Sequence, residues 1–273
     1  MGPSTLLTTA PERESEEIMS RAKSRARRIV GVDGTATAET ALRWAARRST
    51  DDGAPLLLAH VGPSLGKSDV SVLEDARAII DAEHAGLAAE PLHLEGPVWK
   101  ALSEIAEPDD VIVIGTDTKG LGRSRVSGAL SVQLAITAQC AVAAIPDIDL
   151  SFRRGVVAGI GAADTARRVA EAAYVEARDR GAPLTLIHGG CREHCTDGLD
   201  AAERALLAID PTISIRRRIL STPAADALLD ASLDKELLVL GRGSRSASGT
   251  PIGAVTHTVL LNATAPVLLL PPG

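Results

Sequence analysis

Aromatic residues are nearly missing from this sequence, with two tryptophans, one tyrosine and one phenylalanine among 273 positions. Stacking platforms for single-stranded nucleic acid are therefore absent, and a core has to be assembled from Ala, Val, Leu and Ile, as in parallel α/β layers. Cysteine is scarce as well. Cys140, Cys191 and Cys195 are an odd and small set, which suits a reducing cytoplasm better than a disulfide framework. No apolar run approaches the roughly 18 residues that span a bilayer, so no membrane segment is expected. The N-terminal MGPSTLLTTAPERESEE lacks the basic start and apolar centre of a signal peptide. An excess of positive charge is also wanting. A net charge of −6 and a pI near 5.6 argue against nucleic acid or an anionic membrane as the main partner.

What is present is enough apolar sequence for one large or two modest domains. Residues 1–27 pass from Thr, Pro and Glu to the basic Arg21, Lys23, Arg25 and Arg27 without an apolar face, which predicts a disordered tail. From Arg28 onward a regular pattern occurs twice. GAPL begins at Gly53 and again at Gly181, an offset of 128, and the same offset pairs Gly31 with Gly159 and His60 with His188. VIVIG ending at Gly115 pairs with LLVLG ending at Gly241, and CAVAAIP ending at Pro146 pairs with APVLLLP ending at Pro271. A slowly drifting offset is the mark of a duplicated domain with small loop deletions.

In the first copy the periodicities predict strands at Arg28–Val32, Pro55–Val61, Pro91–Leu94, Val111–Gly115 and Val142–Ile145. Helices are predicted at Ala38–Ser49, Val70–Leu87, Val98–Ala106 and Ala129–Ala138. Short apolar strands alternating with Ala- and Leu-rich helices predict a parallel sheet with helices on both faces. Pro146, Asp147 and Asp149 mark the join, so the domains are placed at 28–150 and 151–273.

The segment Val111–Val132, VIVIGTDTKGLGRSRVSGALSV, has the parts of a phosphate cradle. A buried strand ends on a glycine, a Gly-rich loop carrying Arg123 and Arg125 follows, and a helix begins, whose first N–H groups can donate to an anion.

Taken together, GVDGT at Gly31–Thr35 followed by Ala41, Leu42, Trp44 and Ala45, GAPLLLAHV with His60, and the Gly115–Pro146 segment resemble the universal stress protein family in its tandem form. The resemblance runs from about residue 28 to the C-terminus. It implies two Rossmann-like domains of the adenine nucleotide alpha hydrolase-like kind, each a five-stranded parallel sheet with helices on both faces. Their final strands, Val142–Ile145 and Val267–Leu270, would pair within one chain as a pseudo-dimer, and two such chains would form a homodimer. It also implies a non-enzymatic, cytoplasmic stress-response or regulatory protein with ATP as the candidate ligand.

ATP-binding members are similar in having a Gly-x2-Gly-x9-Gly-Ser/Thr loop and an aspartate after the first strand facing the adenine. By that resemblance the candidate nucleotide-binding residues of the first domain are Asp33, Gly34, Thr35, Gly115, Thr118, Gly128 and Ser131. Thr118 stands where the second glycine belongs, and Ala129 where the hydroxyl belongs, with Ser127 and Ser131 near enough to substitute in part. The second copy departs further. Gly161 replaces the aspartate, Ser244 the second glycine and Ala254 the hydroxyl residue, in a loop kept basic by Arg242 and Arg245.

Other groups carry less. His188, Cys191, His194 and Cys195 offer soft ligands in HGGCREHC, but without standard zinc spacing, so no metal site is assigned. No catalytic set is assigned either, because no serine or cysteine nucleophile has a base beside it and no SGGxDS-like phosphate loop of an ATP pyrophosphatase occurs. Asp109, Asp110 and Glu107 read as a solvated turn, Arg216–Arg218 as a solvated face or sheet edge, and Trp44 and Trp99 as packing residues. A nucleotide-independent regulatory scaffold is the alternative function.

Overall fold

The computed structural model describes residues 26–63, 66–117, 125–190, 196–243 and 252–271; the expected tail lies outside these up to residue 25. The first repeat runs β1 (Arg28–Gly31), α1 (Ala36–Asp52), β2 (Leu56–Val61), α2 (Lys67–Glu83), β3 (Ala89–Leu94), α3 (Val98–Ile105), β4 (Val111–Thr116), α4 (Arg125–Thr137) and β5 (Ala141–Pro146). The second runs β6 (Val156–Gly159), α5 (Ala163–Asp179), β7 (Leu184–Gly189), α6 (Asp197–Ile209), β8 (Ile215–Leu220), α7 (Ala224–Ser232), β9 (Leu237–Gly241), α8 (Ala254–Asn262) and β10 (Val267–Leu270).

Both repeats fold as the alternation predicts, and they share one ten-stranded sheet of order β3-β2-β1-β4-β5-β10-β9-β6-β7-β8. Pairing is parallel within each half. The halves meet where β5 and β10 run antiparallel, with Val267 opposite Ala144 and Leu269 opposite Val142. This is the expected pairing of the final strands. Strands such as β2 and β9 are buried almost end to end, because helices cover both faces and no residue can point to water. The outer strands are different. Arg216, Arg217 and Arg218 lie exposed on β8 at the sheet edge, where charge discourages further strand pairing.

Local chemistry sets the helix limits. The Thr35 hydroxyl caps α1 by accepting from the Ala38 N–H at 3.3 Å, and Gly53, at φ 72°, ends it in the left-handed region that favours glycine. Ala38, Ala41, Leu42, Ala45 and Ala46 form the buried stripe between. The apolar period places this helix at Ala38 and the last helix of the repeat at Ala129, whereas the structure starts them at Ala36 and Arg125. Polar first turns contribute backbone hydrogen bonds but no apolar repeat.

One expectation is corrected here. Asp110 is not part of a solvated turn; it is 3% exposed and accepts from the Arg27 amide at 2.8 Å, the Arg27 Nη2 at 2.6 Å and the Glu107 amide at 3.0 Å. Arg27, assigned by composition to the tail, is thereby tied to the first domain. Burial by itself would raise the Asp110 carboxyl, but these donors outweigh it and hold the carboxyl below its ordinary value of 3.8. Asp110→Asn is expected to cost roughly 2–3 kcal/mol, read by urea unfolding at pH 7. For a depressed carboxyl this stabilisation is complete above the unfolded value and lost as pH falls through the folded one. The gap between wild type and variant should therefore begin to close below pH 3.8.

Candidate ligand cavities at the strand ends

In an open parallel sheet a crevice forms outside the carboxyl ends of the strands, where adjacent strands send their connections to opposite faces. β1 beside β4 and β6 beside β9 supply this junction in the two halves. The cavity of the first half, about 340 Å³, is lined by Gly31, Asp33, Thr37, Trp99, Leu102, Ile114, Gly115, Leu130 and Gln133 among others. Its floor is apolar. Trp99 and Leu102 reach it from α3, so Trp99 lines a cavity as well as packing.

The candidate residues do not all converge there. Asp33 and Gly115 line the cavity, and the Asp33 Oδ1 is fixed by the Thr35 amide at 3.0 Å and the Thr35 hydroxyl at 2.6 Å. Gly34, in the left-handed region at φ 77°, and Thr35 instead border a separate hollow between α1 and α2. Ser131 is fully buried on α4 and is not among the residues lining the first cavity. Gly128 lies at the fourth position of α4, beyond the helix-start amides that have no intrahelical partner. The helix start predicted at Ala129, which left Gly128 just before the helix, is thus corrected. Thr118 lies outside the described residues, as do Arg123, Cys191, His194, Cys195, Ser244 and Arg245. Among the described residues no group of three His, Cys, Asp or Glu is placed to hold a metal ion.

Gly115 has a structural reason to be glycine. A Cβ there would run into the Thr37 carbonyl of the first turn of α1, so its absence lets helix and strand close up at the cavity rim. Its counterpart Gly241 meets nothing nearer than a Val169 methyl at 3.4 Å. His60, near the end of β2, braces the neighbouring strand end. Its Nδ1 lies 2.7 Å from the Val32 carbonyl and its Nε2 2.9 Å from the Asp69 carboxylate, so both ring nitrogens face acceptors. The Gly66 amide and then the His60 ring hold the Asp69 carboxyl below its ordinary range. His188 repeats the first contact, 2.7 Å from the Ile160 carbonyl. The repeat offset was the signal that could have found this brace.

The second cavity is the roomier, about 620 Å³, bounded by Gly159, Gly161, Ala162, His188, Gly241, Gly243, Gly253 and Thr256 among others. Among the described residues no acidic side chain lines it. Here the glycine does stand at the helix start, since Gly253 is the N-cap of α8. Arg242 does not serve this cavity, contrary to its reading as a loop charge. It is buried, and its Nη2 donates to the Ala138 carbonyl and, at 3.4 Å, to that of Cys140, both in the other half.

Fold and cavities define the class: a tandem α/β protein of two Rossmann-like domains, each open at the carboxyl ends of its strands. Residues 26–146 match the model of the universal stress protein family. Over 288 residues the chain is 26% identical to a universal stress protein of Mycolicibacterium smegmatis, covering 89% of this chain and 96% of the relative. It is 25% identical to one from Mycobacterium tuberculosis, covering 88% and 95%. A universal stress protein structure from Archaeoglobus fulgidus superposes with a TM-score of 0.68 at 18% identity, covering 90% of this chain and 98% of the other. The first domain thus matches the universal stress protein family, and the whole chain is similar to universal stress proteins over nearly their full length.

The two strand-end glycines separate packing from ligand approach. Gly115→Ala is expected to lose about 2–3 kcal/mol through overpacking against Thr37, a fall in Tm of roughly 5 °C or more. Gly241→Ala should stay within about 1 kcal/mol of wild type. Thermal denaturation of both variants checks the contrast.

Proposed function

We propose that the protein acts by binding rather than by catalysis, as a stress-response or regulatory protein whose first domain takes an adenine nucleotide, ATP in the first instance. The observation that carries this reading is the first cavity, an apolar slot of Trp99, Leu102 and Ile114 with the Asp33 carboxylate oriented at its mouth. Such a slot suits a planar base, and a fixed carboxylate suits its exocyclic amine. The size falls within the usual range for small-ligand sites. Association of two tandem chains belongs to the same proposal.

A second reading is favoured by the other half. Its larger cavity is bordered by Ala162 at the N-cap of α5, Ala224 at the start of α7 and Gly253 at the N-cap of α8, so the phosphate end of a nucleotide is better provided for there. With Gly161 in place of a carboxylate, that cavity has, among the described residues, no acidic group to select adenine.

Calorimetry with ATP and with cyclic AMP, each with and without magnesium, tests both. Binding that falls at least tenfold in Asp33→Ala, with Gly161→Ala unchanged, supports the first domain. Binding indifferent to Asp33→Ala moves the site to the second domain. No heat up to millimolar nucleotide overturns nucleotide binding and leaves the nucleotide-independent scaffold.

A further inference from the structure

Residues of the two repeats correspond at an offset of 128 along α1 and α5, where buried Ala41 and Ala45 match buried Val169 and Ala173. Arg48 and Glu176 are therefore equivalent positions, and they touch, with Nε 3.3 Å from Oε2 and side chains 7% and 17% exposed. In a two-fold arrangement a residue meets its own equivalent only on the axis, so this ion pair marks the pseudo-two-fold between the halves. The Arg48 guanidinium also lies 3.6 Å over the Trp44 ring, and Glu176 holds Arg180 at 2.9 Å.

The sign inversion extends further. Asp52 and Arg180 are the next equivalent pair one helical turn on. Burial raises the Asp52 carboxyl, while the Arg28 guanidinium, the Ala54 amide and the Arg180 charge together bring it below its ordinary range. Glu39 and Arg43, paired within α1 at 2.8 Å, correspond to Arg167 and Glu171, paired within α5 at 2.7 Å with the signs exchanged.

We propose that opposite charges at equivalent positions on this axis select the pairing partner: each half accepts the other half and rejects a second copy of itself. Two first halves would set Arg48 against Arg48, and two second halves Glu176 against Glu176, at positions whose side chains are mostly buried in the joined chain. Like charges there are strongly unfavourable. Burial already pulls the Arg48 guanidinium down to about 9 even with Glu176 beside it. A free domain of the same fold would dock on the first half only if it carried an acidic residue at the position of Glu176, and association of two whole chains must use another surface.

The test is made in the full chain with Glu176→Gln, Glu176→Arg, Arg48→Glu and the reversed pair Arg48→Glu/Glu176→Arg. Thermal unfolding is followed together with hydrogen exchange of β5 and β10, whose pairing joins the halves. Glu176→Arg is expected to fall further in Tm than Glu176→Gln and to speed exchange in β5 and β10. The reversed pair should recover at least half of the Tm loss and the exchange protection. If Glu176→Arg proves too unstable to fold, recovery of a folded chain in the reversed pair supports the proposal. A reversed pair no better than Glu176→Arg, or Glu176→Arg no worse than Glu176→Gln, overturns it.

Discussion

The antiparallel contact between β5 and β10 is the constraint on which the molecule depends. Each half alone would end in an apolar strand, with Val142 and Ala143 on one side and Val267 and Leu269 on the other, all buried in the joined chain. Left unpaired, such strands would present a row of unsatisfied amides and carbonyls within an apolar surface. Pairing satisfies these groups and turns two five-stranded sheets into one of ten. It also brings Arg48 of α1 to Glu176 of α5 and places Arg242 where it can cap the carbonyl end of α4. The connection between the halves is held by the same region, with the Asp147 amide on the Thr116 carbonyl at 3.2 Å and the Thr40 hydroxyl on the Asp147 carboxylate at 3.2 Å.

With one side of each sheet consumed by the junction, both cavities open at the carboxyl ends of the strands, and there the halves differ. In the first, Trp99, Leu102 and Leu130 narrow the space, and Gly115 is committed to close packing against α1. In the second, six glycines and three alanines are among the lining residues and Gly253 stands at a helix start. One half thus has the oriented Asp33 carboxylate at its cavity, and the other a glycine at a helix start.

Scaffold features survive in both copies while site features diverge. His60 and His188 make the same 2.7 Å contact to the end of the preceding strand, because each crossover needs the same brace. Positions at the axis diverge in another way, by exchange of sign. Residues of one chain at equivalent positions are free to differ, which identical subunits related by a true two-fold cannot do. The Arg48 and Glu176 pair uses that freedom.

The alternation of apolar strands with Ala-rich helices, repeated at an offset of 128, was enough to establish two parallel α/β domains, whereas the pairing of their last strands was implied by the resemblance to the universal stress protein family. Those features follow from backbone hydrogen bonding and burial, which leave a periodic trace in the chain. The roles of individual polar residues left none. Asp110 looked like part of an exposed turn because its neighbours are charged, and only the approach of Arg27 from across the domain buries and pairs it. Gly115 looked like a phosphate contact, and the Thr37 carbonyl gives it a packing reason to be glycine that the sequence did not show. Arg242 looked like a loop charge, yet it reaches the other half. Partners far apart in sequence decide such roles, so tertiary structure alone assigns them, whereas the sequence by itself determined the fold and the duplication.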